Sequence, residues 1–425
     1  MNKVLNTFRQ SFSPLVYPNF RLYLGGQAIS LIGTWLQVTA QGWVVWELSQ
    51  SKIALGVVGM LATLPILLFG PWAGVWADRL DRRKLLITTQ VASMLLAFIL
   101  AVLIQVHLVQ LWHVYILSAL LGIITALDMP AQQAFIGDLS GMSEVRKAVV
   151  LNAMIINVSR MIGPALAGTI VGLLGAATAF WLNGLSFIAV IITLGLVRSS
   201  QTRKTGQASP LGEFWEGLRF ISTQSRLADL IIFVVIITFF GLPVINIFPS
   251  VASEILKGDA QTLGWLLAAS GAGALFSTII IVPIVQAQKR IGVIVGAMVI
   301  WMGVWFLALS VSTSQPLSFL CSFAISAGAP VVFTTASGLL QVLAPANMRA
   351  RLLSTFVMLT FGLQPIASLF MGFSADHLGT PLAILINGLL MVGGAILMLG
   401  MRPELRVWEI GNPAPAPQPV TTVEP

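Results

Sequence analysis

Long uncharged runs alternate with short clusters of charge, and this alternation sets the first reading of the chain. We take an uncharged run of about twenty or more residues as a length that can cross a bilayer, and split over-long runs at polar or Gly/Pro breaks. Twelve helices follow, near residues 20–46, 53–77, 84–106, 111–135, 147–172, 177–197, 228–253, 261–287, 290–312, 317–343, 351–374 and 380–401, numbered here as spans 1 to 12. The joins near Gln105–His113, Gly172–Ala177 and Ser312–Pro316 are marked by polar and turn residues alone. The expected fold is an all-α membrane protein.

The longest connection lies at about 198–227 and divides the chain into two halves of six spans. The expected organisation is an N-terminal bundle (1–197), a linker (198–227), a C-terminal bundle (228–401) and a Pro-rich tail (402–425). In the linker, Leu211, Phe214, Trp215, Leu218 and Ile221 recur at helical spacing, which predicts an amphipathic helix on the membrane surface. The tail, GNPAPAPQPVTTVEP from Gly411, is expected to be disordered. The halves echo each other. Pro164 and Pro365 lie 201 residues apart, and Asn183-Gly184 and Asn387-Gly388 lie 204 apart, as in a parallel repeat of six-span units.

Composition agrees, with 57% apolar and only 9% charged residues, too little charge for a soluble fold of this length. A net charge of +8 invites a nucleic-acid reading, but topology accounts for it. Of the 23 Lys and Arg, twenty fall on or at the edge of one side and two, Lys52 and Lys257, on the other. The remaining one, Arg160, is deep in a span. That asymmetry makes the rich side cytoplasmic, with both termini there. The one cysteine, Cys321, sits in an apolar run as a packing residue. Residues 1–19 are polar and mixed, unlike a cleavable signal peptide. There is no G-x-x-x-x-G-K-[ST] loop and no Cys/His metal spacing, so neither an enzyme, an ATP-driven pump nor a bound cofactor is expected.

Within hydrocarbon, a polar stripe must face protein or water. Span 1 carries Gln27, Ser30, Thr34, Gln37 and Gln41 at spacings of 3, 4, 3 and 4. Either a water-filled cavity or a helix–helix hydrogen-bonding seam would satisfy it, and three glutamines favour the cavity. Span 4 presents Ser118, Gly122, Thr125, Asp128 and Gln132; span 10 presents Thr334, Ser337 and Gln341; span 11 presents Thr360, Gln364 and Ser368. Span 7 offers Asn246 beside Pro243. Trp35, Trp43 and Trp265 are candidates for stacking or for interface anchoring.

A charge at mid-membrane costs at least ~2.5 kcal/mol, so Arg160 needs a reason. Its counterpart in the second half is Phe361, four residues before Pro365, so no role shared by both repeats explains it. From Lys147 it lies roughly 20 Å into the membrane. Engagement of an anionic or polar substrate, a latch with Asp128 released on protonation, and a structural ion pair all fit. For proton coupling, the titratable candidates are Asp128, Asp78 and Glu47, with Asp128 preferred; His107 and His113 read as interface anchors.

The loop GPWAGVWADRLDRRK (70–84) joins spans 2 and 3 and is similar to the signature loop of the major facilitator superfamily, G-x-x-x-D-R-x-G-R-R-K. Gly74, Asp78, Arg79, Arg82, Arg83 and Lys84 match, while Asp81 replaces a glycine, as in the branch that resembles enterobactin exporters and macrolide efflux proteins. LDMPAQQAFIGDL, RKAVVLNAMIINVSRMIGPALAG and NFRLYLGGQAISLIGTWLQ resemble the same branch, and the likeness runs from about Asn19 to Met401. The antiporter-like element Gly163-Pro164 and Gly168 matches in part, with Ser159 in place of a glycine.

The resemblance implies twelve helices in two bundles around a cavity lined by spans 1, 4, 7 and 10, and a monomer working by alternating access. It implies a conformational latch of Gly74, Asp78, Arg79, Arg82 and Arg83, and export of a small hydrophobic or amphipathic molecule, siderophore or drug-like, by proton antiport across the bacterial cytoplasmic membrane. Substrate contacts are then expected at Thr34, Trp35, Gln37, Gln41, Asn157, Arg160, Asn246, Gln341 and Gln364, and proton coupling at Asp128 and Glu47. Uptake of a metabolite, or a non-transporting membrane partner, is the alternative.

Overall fold

In the computed structural model the described residues are 12–141, 144–197, 210–286, 288, 291–345 and 348–402. They are all-helical, with no strand among them. In the first half, spans 1 to 6 run Pro18–Ser49, Lys52–Arg79, Arg82–Gln105, Leu111–Ser140, Val145–Leu174 and Ala176–Leu196. A linker helix, Pro210–Thr223, leads to spans 7 and 8 at Leu227–Ile255 and Ala260–Gln286. Spans 9 to 12 are Ile291–Val311, Gln315–Leu343, Arg349–Leu378 and Thr380–Met401. Most helices outrun their apolar windows, because capping and charged residues continue them past the hydrocarbon edge. Eleven are apolar enough to cross a membrane by composition. Span 1 is long enough at 32 residues but more polar, since its stripe includes three glutamines.

The two halves repeat in three dimensions. Span 1 packs on 6, 3 on 6 and 2 on 4, and six spans later 7 packs on 12, 9 on 12 and 8 on 10. Between the halves, span 2 packs on 11 and span 5 on 8, pairs that exchange under the repeat. Equivalent glycines sit in both seams. A Cβ on Gly56 would lie 3.1 Å from the Cα of Gly372, and one on Gly168 would lie 3.1 Å from the Cα of Gly264. Only residues without a side chain let these backbones meet so closely. Gly175 and Gly379, 204 residues apart, turn the chain from span 5 to 6 and from 11 to 12 at φ +83° and +85°, where other residues are strained.

The seams close toward one membrane face. Lys52, at the start of span 2, donates to Glu254 of span 7 at 2.6 Å, and its backbone N–H donates to Asp376 of span 11 at 3.1 Å. We call this the sparse face, and the opposite one, with Arg82, Arg83, Lys147 and Arg351, the basic face. On the basic face the linker helix is fastened to span 11 by a Glu216–Arg351 ion pair and by Gly217 against Thr355. Its predicted stripe is described in part: Ile221 is buried and Trp215 exposed. The expectation of a disordered tail concerns residues outside those described.

Candidate functional site

Two polar centres lie inside the membrane-spanning region. The first surrounds Asp128, on the face of span 4 turned toward spans 1 and 3. Its carboxylate accepts from the Thr89 hydroxyl at 2.6 Å, from the Gln90 amide at 3.3 Å and from the Gln132 amide one turn along its own helix. Gln27 of span 1 donates to Gln132 at 3.3 Å and completes the chain of bonds. Every donor is neutral, so the carboxyl can gain or lose a proton without breaking an ion pair. Thr89 and Gln90 are missed by a reading of span 4 alone. Their sign in the sequence is a run of three polar residues, Thr88-Thr89-Gln90, in an otherwise apolar part of span 3.

The second centre is Arg160, and Asp128 does not reach it. The guanidinium lies over the Trp35 ring, 5.4 Å from its centroid, and donates from Nη2 to the Ser270 hydroxyl of span 8 at 3.3 Å. Ser270 in turn shares a 2.6 Å bond with Ser326 of span 10. The Arg160 backbone abuts Gly271, where an added Cβ would come within 2.5 Å of the Arg160 carbonyl oxygen. Arg160 therefore stands on the seam between the halves, and among the described residues no carboxylate is paired with it. In this structure Asp128 is bonded to Thr89, Gln90 and Gln132 and Arg160 to Ser270, so neither an ion pair nor an Asp128 bond to Arg160 is present among the described residues.

The span 1 stripe is divided among neighbours. Gln37 is buried and accepts from Asn183 of span 6 at 2.6 Å, and Gln41 donates to Ser118 of span 4 at 2.8 Å. Thr34 donates to the Ser30 carbonyl of its own helix. The glutamines thus tie span 1 to spans 4 and 6. Helical period says that a face must be polar, not which neighbour makes it so. Asn157, one turn from Arg160, is partly exposed and donates to the Ala153 carbonyl. Asn246 donates to Ser368 of span 11 at 2.9 Å, next to Gly59 of span 2. Gln364 is half-buried at mid-span, Gln341 exposed at the basic end of span 10, and Glu47 exposed, accepting from Trp43 at 2.7 Å.

At the basic rim, Asp81 accepts from the Lys84 N–H at 3.1 Å and caps span 3. Its φ is −66°, so this turn has no need of the glycine it replaces. Arg82 grips both carboxylate oxygens of Asp138 at 3.0 and 2.9 Å, and Arg83 donates to the Leu194 and Gly195 carbonyls at the end of span 6. These two latch candidates therefore bind spans 3, 4 and 6 of their own half. Arg79 is exposed; the Gly74 and Asp78 side chains lie outside those described. Ser13 donates to Glu144 at 2.5 Å and Lys147 joins at 3.0 Å, together holding the Glu144 carboxyl below its ordinary 4.5. Nothing in the sequence marks the sparse-face set of Lys52, Glu254 and Asp376, because a charge at a helix end there reads as topology alone.

Known proteins bear on this arrangement. Residues 9–422 match the family described as transmembrane secretion effector. The chain is 27% identical over 267 residues to an uncharacterized transporter of Bacillus subtilis (strain 168), a match spanning 60% of this chain and 62% of that protein. It is 25% identical to the staphyloferrin A transporter of Staphylococcus aureus, over 84% of this chain and 90% of the other. Macrolide efflux protein A of Streptococcus pyogenes is 23% identical, over 90% and 96%. Among solved structures, the fold is similar to that of a bacterial homolog of the human lysosomal transporter Spinster in an inward-facing, unoccupied conformation. That likeness has a TM-score of 0.74 at 12% identity, covering 93% of this chain and 98% of the other.

Proposed function

Because the chain belongs to the transmembrane secretion effector family of the major facilitator superfamily, and is therefore a multi-pass membrane transporter rather than an enzyme, we propose that it exports a small hydrophobic or amphipathic molecule by alternating access. The observation that carries this reading is the paired seam. Spans 2 and 11 and spans 5 and 8 meet through equivalent glycines toward the sparse face, where Lys52 links span 2 to Glu254 and Asp376. Two halves joined along symmetric seams at one face are built to part there and close at the other.

The basic face is cytoplasmic on the charge rule, which places both termini inside and the sealed face outside, in the bacterial cytoplasmic membrane. A siderophore or drug-like substrate is supported by the names of the staphyloferrin A and macrolide relatives. Asp128 serves as the proton site of an antiport cycle, since its all-neutral cage tolerates both charge states, and the protein works as a monomer.

The test is accumulation of a panel of dyes and siderophores in cells, with and without a protonophore. Lower accumulation in expressing cells, restored by the protonophore, is expected. Equal accumulation for every compound, with the protein verified in the membrane, overturns export. Asp128→Asn is expected to abolish dependence on the pH gradient, and retained dependence removes Asp128 from the mechanism.

A further inference from the structure

We infer that Arg160 is the head-group site for an organic anion, so that the transported class carries a carboxylate or a similar monoanionic group; this rests on the transport reading above. The inference starts from what the guanidinium lacks. Arginine stays charged in any protein setting and carries five N–H donors. Here Nε is enclosed without a hydrogen-bond partner, Nη2 has one long bond of 3.3 Å to a neutral hydroxyl, and Nη1 makes none among the described residues. The Trp35 ring supplies only its face. A partly buried cation left this poorly satisfied is costly, and its second-half counterpart, Phe361, shows that the fold does not need a cation at this place.

The position fits a ligand better than a brace. Arg160 and Trp35 come from the first half, Ser270 and Ser326 from the second, so a ligand here touches both moving bodies at mid-membrane. Arg160, Trp35 and Asn157 each keep part of their surface uncovered. Nη1 is open, and with Nη2 it forms the end of a guanidinium fork whose two donors match two carboxylate oxygens. On binding, the anion displaces the weak Ser270 bond and frees the Ser270–Ser326 hydroxyl pair to reorient. Asp128 is engaged elsewhere and does not compete for the site.

The experiment uses the full-length protein in lipid nanodiscs, with 2-naphthoate and its neutral twin 2-naphthamide as probes. The expected result is at least about tenfold tighter binding of the acid, the worth of hydrogen bonds to a charged partner. Arg160→Met removes the preference without lowering the melting temperature of the ligand-free protein, since it deletes an unpaired charge. Arg160→Lys folds with the charge in place and keeps a reduced preference. Equal binding of acid and amide, no binding of either, or a preference that survives Arg160→Met overturns the anion site. So does a melting temperature that falls alike in both variants, which marks a structural role. Export of dyes in cells is scored separately. If dyes are exported but acid and amide bind alike, only this inference fails; if the acid binds selectively but nothing is exported, the export reading fails and the anion site stands.

Discussion

The two halves share one architecture and divide its labour. The first half has an apolar core split in two, one cluster around Phe20, Phe135 and Leu194 and another around Val45, Trp46 and Phe180. A polar layer runs through the same half, with Gln27, Gln37, Gln90, Asp128, Gln132 and Asn183 bonded helix to helix. The second half has one large apolar core, from Leu227 to Ala395, beside a small cluster of Val282, Val285 and Val331. Its span 7 is irregular, passing through π and 3₁₀ turns around Pro243 and Pro249 before Glu254. Fixed hydrogen bonds give the first half a defined geometry for its buried charges. Non-directional packing dominates the second half, with single polar pairs such as Ser250–Thr380, Asn246–Ser368 and Ser270–Ser326 between its helices.

The sharpest way to break this contrast is to cut the large core. Phe306 is fully buried in it, and Phe306→Ala is expected to cost about 3–5 kcal/mol, read as a fall in melting temperature of the purified protein. The next effect compares equivalent positions. Asn183→Ala strips Gln37 of its donor and is expected to cost about 1–3 kcal/mol, whereas Asn387→Ala removes a bond to a carbonyl of its own helix and a weak one to the Met371 sulfur, and is expected to cost less. Equal melting temperatures for the two variants would dissolve the distinction between a bonded and a packed half. Smaller still, Lys52→Ala removes the ion pair joining span 2 to span 7, worth about 1 kcal/mol. Spin-label distances across the sparse rim are expected to move toward the open arrangement by a few-fold in population.

The smallest effect belongs to the rim. Glu144 is held below its ordinary 4.5 by the Ser13 hydroxyl and then Lys147, so its folded-state contribution is present above that value and fades as pH drops beneath it. Glu144→Gln is therefore expected to lower the melting temperature slightly at neutral pH and to converge with the unsubstituted protein in acid, which flattens the loss on acidification.

The fold was legible because a bilayer imposes one rule on every span: a run without charge, closed by charge or turn. The repeat was legible in Pro164/Pro365 and Asn183/Asn387 for the same reason, that packing against a partner helix fixes which small or polar residue fits. The site was legible only in its buried charges. Asp128 and Arg160 announce themselves by cost, but their partners do not: Thr89 and Gln90 on span 3, and Ser270 on span 8, are ordinary polar residues until three helices meet. The seam glycines Gly56, Gly264 and Gly372 carry no signal in the sequence, because a glycine says nothing alone about which backbone approaches it. The stripe on span 1 is visible in the sequence and its partners are not, since periodicity carries no information about the second body.

That stripe has a consequence for how the protein is made. Span 1 precedes its partners in the chain and is the least ready of the spans to enter lipid alone, because its glutamines have no acceptors or donors until spans 4 and 6 supply Ser118, Gln132 and Asn183. Its membrane entry is thereby tied to helices synthesised roughly a hundred residues later. Stable placement of span 1 is therefore expected to depend on span 6, read as poor membrane retention of span 1 in chains truncated before Asn183.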